Sequence, residues 1–356
     1  MCLARCKGFQ SRQHAQPSRW PRSSLQVPAR RVKHERHFKR NAGTNICEAT
    51  TLKGHMLRTP TVAGPFALAC PTCHAELDGA RCPNCNVSYA CEGGFWRFLP
   101  PERAAHFQQF EREYLTVRRA EGWGSTDSAY YRALPFVDRS GRFTELWRIR
   151  AASFRTLLRE LPRQPRRVLD LGAGNGWLSY QLALRGHAVA AVDVQLDEQD
   201  GLTAFTQYDA QFTPIQAEFD HLPLAPGQAD VIVYNGSLHY STDCVQTLRE
   251  ALRVLEPRGT IAILDSPMYV TADSGRQMVL EREARFQRTY GFTSDSLPSE
   301  HFLTPRRLAE LSDSLGIQWR VRDPWHGWRR ALLPLWARLR GTRQPARFPV
   351  IIGQPI

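Results

Sequence analysis

The chain has 356 residues, of which 42% are apolar, and a formal net charge of +13. That length and apolar content support one or two packed domains with a real core and exclude a wholly disordered or fibrous chain. No apolar run reaches the ~18 residues of a membrane-spanning helix, and no signal-peptide core is present.

The charge is unevenly spread. Residues 1–60 hold 13 Lys and Arg against Glu35 and Glu48, a net of +11. Arg320 to Arg347 add a net of +7, so the intervening chain is slightly acidic. All four lysines, Lys7, Lys33, Lys39 and Lys53, precede residue 54. Residues 1–60 lack hydrophobic periodicity and are rich in Arg, Ser, Gln and Pro, so a disordered basic extension is expected. Three origins stay open: an over-long start with Met56 as the true initiator, a basic tail that touches anionic partners, or an organelle transit peptide.

The next segment, 66–99, carries the informative cysteines among nine in the chain. Cys70-Pro71-Thr72-Cys73 and Cys82-Pro83-Asn84-Cys85 are two knuckles with eight residues between them. Each sets two thiolates on one side of a tight turn, the spacing of one tetrahedral structural zinc. A unit this small needs such a staple. Disulfides and a redox pair are the alternatives, disfavoured by an expected cytoplasmic location and by the presence of two knuckles. Cys91 and Cys244 are expected in packing roles.

Residues 100–165 read as a helical linker or lid. Pro101 to Arg119 forms a helix, with Pro in its first turn and Phe107, Phe110, Tyr114 and Val117 on one face. The Gly122-Trp123-Gly124 run breaks it. Tyr130 and Tyr131 follow, as lid lining or as ordinary packing. Phe143 to Leu161 forms a second helix with an apolar stripe through Leu146, Ile149, Phe154, Leu157 and Leu158.

From residue 166 the pattern alternates strand and helix, which implies a parallel sheet covered on both faces. Arg167 to Asp170 is a buried strand that runs into Gly172-Ala173-Gly174-Asn175-Gly176. Glycines there let the chain turn sharply and let a ligand press on the backbone. Dinucleotide folds place a pyrophosphate at a G-x-G-x-x-G turn. A carboxylate at Asp170 repels a diphosphate and suits a ligand with a cationic end. Asp193 ends a second strand, where ribose hydroxyls are gripped in such folds. Then come Glu218-Phe219-Asp220-His221-Leu222-Pro223, a strand ending at Asn235, and Glu256-Pro257-Arg258-Gly259 ahead of a strand ending at Asp265.

These segments, in this order, resemble class I S-adenosylmethionine (SAM)-dependent methyltransferases of the type 11 kind, over roughly Arg166 to Leu264. The resemblance implies an α/β, Rossmann-like, doubly wound seven-stranded sheet, closed by an antiparallel hairpin from Ile317–Val321 and Phe348–Ile352. It implies SAM as cofactor, held by Asp170, Gly172, Ala173, Gly174, Gly176, Asp193, Glu218, Phe219 and Asn235. Glu218 stands where the family usually has Asp, and Arg258 where it usually has Gly. The ribbon is similar to those that precede some bacterial methyltransferases, including ribosomal RNA guanine methyltransferases. Those use one histidine as a zinc ligand, whereas all four expected ligands here, Cys70, Cys73, Cys82 and Cys85, are cysteines.

Ligands bind such sheets beyond the carboxyl ends of the strands. His239, just past the fourth strand, is the candidate general base, with a structural role as its alternative. Asp265 either orients an acceptor or caps a turn. No Asn-Pro-Pro-Tyr motif follows the fourth strand, which argues against methylation of exocyclic base amines. A small-molecule acceptor is expected. RNA held by the ribbon and the basic C-terminal segment, and a non-catalytic SAM-binding or partner-binding protein, are the alternatives. Residues 324–340 mix Trp with Arg, as a helix packed on the sheet edge, a nucleic-acid surface or a membrane-surface segment.

Overall fold

The computed structural model describes residues 62–356. The expectations for residues 1–60, the Met56 start included, lie outside the described residues. In chain order the strands are β1 (Val62–Ala63), β2 (Phe66–Ala67), β3 (Ala90–Glu92), β4 (Phe95–Arg97), β5 (Arg167–Leu171), β6 (Ala188–Asp193), β7 (Thr213–Gln216), β8 (Ala229–Asn235), β9 (Leu255–Leu264), β10 (Ile317–Arg322) and β11 (Val350–Pro355). The helices are α1 (Pro101–Glu121), α2 (Ser128–Ala133), α3 (Thr144–Glu160), α4 (Trp177–Ala183), α5 (Cys244–Val254), α6 (Ala272–Tyr290), α7 (Pro305–Leu315), α8 (Trp328–Ala331) and α9 (Leu333–Leu339).

The main sheet runs in the order β10-β11-β9-β8-β5-β6-β7-β4-β3. Its central part is parallel from β9 through β8, β5 and β6 to β7, and β10 and β11 close one edge as an antiparallel hairpin. That is the expected seven-stranded doubly wound sheet. The ribbon adds two more strands at the opposite edge: β4 pairs parallel with β7, Trp96 facing Ile215, and β3 pairs with β4. The β5 side chains Val168, Leu169 and Leu171 are fully buried. Each such aliphatic side chain contributes about 1.5–3 kcal/mol of burial.

Helix boundaries follow local chemistry. Pro101 opens α1, and Gly122 ends it in the left-handed region at φ 80°. Asp243 Oδ1 caps α5 by accepting from Val245 N (2.9 Å) and Gln246 N (3.0 Å). Thr304 Oγ1 caps α7 by accepting from Arg307 N (3.0 Å). Cys244 is buried at the start of α5.

The ribbon is not a separate bead. Phe66, Leu68, Leu77, Tyr89, Trp96 and Phe98 belong to the same buried cluster as Leu169, Ile215 and Leu222. Ala69 N donates to Pro223 O (3.0 Å), and Ala225 N to Ala67 O (3.0 Å). Tyr130 and Tyr131 are buried core residues. Among the described residues no helix is long and apolar enough to cross a membrane.

The sheet-edge packing expected of residues 324–340 is corrected. The segment breaks into α8 and α9, neither of which has a buried residue. Pro334 sits at the start of α9, where the missing N–H of proline is tolerated.

Candidate cofactor site

The site lies beyond the carboxyl ends of β5, β6 and β8. Val192 O accepts from both Gly172 N (2.8 Å) and Ala173 N (3.1 Å), which folds the turn back onto β6. Gly172 has φ +72°, and a Cβ there would stand 2.4 Å from Ser237 Cβ. Gly174 has φ +55°, but its nearest neighbour is Asp200 O at 3.8 Å, so that face of the turn is open. Asp193 Oδ2 accepts from Gly174 N (2.7 Å) and Oδ1 from Gln195 N (2.9 Å). Burial pushes the Asp193 carboxyl up and these N–H donors pull it back. A carboxylate has about four acceptor positions, so capacity remains for ribose hydroxyls.

Two adjoining compartments, of about 140 and 70 Å³, share Phe110, Gly172, Asp193, Val194, Phe219 and Tyr240. The larger adds Tyr114, Arg118, Arg150, Ala173, Gly174, Asn175, Gln195 and Asn235. The smaller adds Arg103, Phe107, Ala217 and Glu218. Thus the apolar face of α1 forms a wall of the cavity. Phe219 lines both compartments and packs edge-on to Tyr234, ring centroids 6.0 Å apart.

Several expectations are corrected in detail. Asp170 does not line the cavity. It is fully buried, its Oδ2 accepts from Ser179 Oγ (2.7 Å), and burial pushes its carboxyl up to about 7. Its side chain joins β5 to α4 behind the cavity wall. Gly176 is also behind the wall, where a Cβ would meet the Phe212 ring at 2.8 Å. Glu218 lines the smaller compartment, yet it is not a free acceptor: Arg103 donates to both its oxygens (2.7 and 2.6 Å). Tyr240, not His239, reaches the cavity. The His239 ring packs on Tyr240 at 4.4 Å, with Nδ1 3.3 Å from Ser266 Oγ, and burial depresses its pKa well below the ordinary value. Asp265 lies outside both linings. Its Oδ1 accepts from Ser153 Oγ (2.7 Å), and burial raises its pKa.

Sequence reasoning missed Arg150, Gln195 and Tyr240. Arg150 lines the larger compartment from α3 and stacks over Trp147 at 4.7 Å. Its guanidinium makes no hydrogen bond among the described residues, and burial lowers its pKa from the ordinary value. Arg118, by contrast, is tied to Asp200 through two hydrogen bonds, one of 2.6 Å from Nη2 to Oδ1. Buried polar atoms without partners also gather here: Gln195 Nε2 and Asn235 Oδ1 on lining residues, and Asp170 Oδ1 and Asp265 Oδ2 behind them. Buried polar groups are seldom left unpaired, so this clustering marks a place for a polar ligand. The residues fit SAM: acceptors for an ammonium, Arg150 for a carboxylate, Asp193 for a ribose and Phe219 for a flat ring.

At the ribbon, the four sulfurs of Cys70, Cys73, Cys82 and Cys85 lie within 4.8 Å of one another. Cys73 and Cys82 Sγ are 3.4 Å apart, and Cys70 and Cys85 Sγ 3.9 Å. A tetrahedral Zn–S distance of ~2.3 Å requires S···S of about 3.8 Å, so this group of four fits zinc. The knuckles share one geometry. Cys70 O accepts from His74 N (2.8 Å) and Cys82 O from Asn86 N (3.0 Å). His74 and Asn86 are left-handed at φ 59° and 58°.

Residues 169–263 match the family model described as a methyltransferase domain. That segment runs from β5 into β9 and carries the glycine-rich turn, Asp193, Phe219 and Asn235. Among curated relatives, the chain is 34% identical over 104 residues to an uncharacterized methyltransferase of Mycobacterium bovis, covering 29% of this chain and 41% of that protein. It is 34% identical to the arsenite methyltransferase of Aquipseudomonas alcaligenes, over 40% of this chain and 45% of that one. To the ubiquinone biosynthesis O-methyltransferase of Aeromonas salmonicida it is 27% identical, over 44% and 64%. The chain spans less than two thirds of the length of each of these relatives. A solved SAM-dependent methyltransferase from Thermotoga maritima aligns over 71% of this chain and 99% of its own, with a TM-score of 0.41 and 14% identity.

Proposed function

We propose that the chain transfers a methyl group from SAM to an unidentified small-molecule acceptor, and that its ribbon holds one structural zinc. The observation that carries the reading is the combination of Asp193, the open Gly174 face and the unpaired polar atoms around a single cavity. The type of relative supports it, since the matched proteins named above are methyltransferases with unlike acceptors.

SAM supplies an electrophilic methyl on a sulfonium. The chain supplies position. Asp193 holds the ribose end, Phe219 one face of the base, and Asn235 and Arg150 the amino-acid end. Phe110, Tyr114 and Tyr240 form an apolar wall that keeps water from the reacting centre. Holding two reactants in line can contribute about 7–11 kcal/mol of the barrier. His239 and Asp265 act as positioning groups, His239 through its packing on Tyr240 and Asp265 through Ser153 of α3. Zinc fixes the ribbon, whose β4 pairs with β7 beside the smaller compartment.

The test is calorimetric titration of the full chain with SAM and, separately, NADH, with zinc measured on the same sample. Micromolar SAM binding that is lost in Asp193→Ala or Gly174→Arg is expected. A folded, zinc-loaded protein that binds no SAM would overturn the reading.

A further inference from the structure

The connection between β10 and β11, residues 323–349, lines neither compartment, and between Trp325 and Leu339 it leaves large apolar side chains uncovered. Trp325 is 74% exposed, Trp328 63%, Trp336 50% and Leu339 77%. Residues 331–336 are all exposed. Soluble surfaces scatter single apolar residues, but a contiguous run of this size marks a contact surface. Its charge is one-sided: residues 324–343 contain five arginines and no Asp or Glu. Arg329, Arg338 and Arg340 have no ion-pair partner among the described residues. Arg329 and Arg340 lie beside the rings of Trp328 and Trp336, at 5.4 and 5.3 Å.

We propose that α8 and α9 lie on an anionic lipid bilayer. Tryptophan prefers the bilayer–water interface, leucines enter the acyl boundary, and arginines meet lipid phosphates while their stems stay in the apolar layer. Each basic residue near an anionic leaflet contributes on the order of 1 kcal/mol. Charge complementarity selects this occupant over a second copy of the chain, which would bring Arg329, Arg338 and Arg340 against the same three charges.

Topology places the connection at the same end of the sheet as the cofactor site. β11 is antiparallel to β9, with Ile351 facing Ile263, so Val350 and the connection before it lie at the carboxyl end of β9. Arg347 and Met268 exchange two backbone hydrogen bonds of 2.9 Å, three residues beyond Asp265. A membrane-bound patch therefore brings the carboxyl end of the sheet, where the cavity lies, toward the bilayer, where an amphiphilic acceptor is available. That extension rests on the methyl-transfer reading. The membrane contact does not, and it is measured without cofactor, so the two can fail separately.

The test is co-sedimentation of the full chain with vesicles of phosphatidylcholine alone and of phosphatidylcholine mixed with phosphatidylglycerol. A triple variant, Trp328→Ser, Trp336→Ser and Leu339→Ser, is compared, with melting curves to show that it folds. Because both chains keep residues 1–60, the basic extension contributes equally to each. The expected result is binding to the phosphatidylglycerol vesicles, weakened by salt, with the partition coefficient falling at least about tenfold in the triple variant. Equal binding by the two chains would overturn the proposal. So would a wild-type chain that ignores vesicles but either self-associates or binds single-stranded RNA through these residues.

Discussion

Removing the positive member of the Arg118–Asp200 pair should cost more stability than any other single change in α1. The two side chains are only 7% and 5% exposed, and Arg118 also stacks 3.6 Å over Trp123. Arg118→Met keeps much of the volume but strands a buried carboxylate, a loss of about 3–5 kcal/mol. At about 2.1 cal/mol/K per residue, a unit of roughly 300 residues loses about 1.6 °C of melting temperature per kcal/mol. The expected drop is therefore about 5–8 °C. Asp200→Leu in the same background removes the stranded charge and should recover at least about half of it, since apolar replacement of a whole buried pair is near neutral. Arg119–Asp197 is the internal control. Arg119 is 72% exposed, and such pairs contribute about 0–1 kcal/mol, so Arg119→Ala should shift the melting temperature by less than about 2 °C. Differential scanning calorimetry of the parent and the three variants decides the matter. The reasoning fails if Arg118→Met melts within about 2 °C of the parent, or if the double variant is no better than the single one.

Asp170 sets a pH dependence. Its folded pKa, about 7, lies above the unfolded carboxylate value near ~3.9. The native state thus binds the extra proton, and its stability should fall as pH rises from about 4 to about 7 and then level off. Asp170→Asn should flatten that slope in urea titrations at several pH values; an unchanged slope would show that another group carries it. Arg150→Met should weaken SAM binding about 10- to 100-fold, the worth of a charged hydrogen bond, with little change in melting temperature. Calorimetry giving an unaltered Kd would remove Arg150 from the amino-acid end of the site. Cys73→Ser together with Cys82→Ser should abolish zinc in elemental analysis and open residues 70–85 to limited proteolysis; retained stoichiometric zinc would contradict the four-cysteine site. Gly172→Ala forces a Cβ to 2.4 Å from Ser237 Cβ at φ +72° and should destabilise the fold by about 1–3 kcal/mol, read from denaturant midpoints.

The parts of this molecule that were legible in the sequence are those whose chemistry is local. The turn after β5 is spelled by glycines whose positive φ the backbone requires. The strand-end acid Asp193 and the Cys-Pro-x-Cys knuckles carry their geometry in consecutive residues, so each could be placed before any fold was known. What could not be read depends on which way a side chain faces across elements distant in sequence. Asp170 belongs to the glycine-rich motif, yet its carboxylate turns to Ser179 on α4, nine residues on, and leaves the cavity to others. Arg150 comes from α3, 20 residues before Asp170. One arginine on an apolar stripe reads as a solvated edge until α3 is seen packed over the site. Glu218 lost its open role to Arg103, 115 residues earlier.

The Trp/Arg segment failed for a different reason. Its apolar residues recur closely enough to suggest a packed amphipathic helix, and periodicity alone always assigns an apolar stripe to a core. Two breaks overrule that assignment. Gly327 delays the first helix, and Pro334 divides the run into pieces of 4 and 7 residues, too short to lay a continuous ridge against the sheet. Periodicity gives the existence of an apolar face but not its partner, and among the described residues nothing covers this one. Burying a face that carries Arg329, Arg338 and Arg340, none with an ion-pair partner among the described residues, would desolvate those charges at a cost of several kcal/mol each. At a lipid surface the same residues keep their charges in the headgroup layer and their rings at its inner edge, so the composition that defeats internal packing is the composition an anionic bilayer accepts.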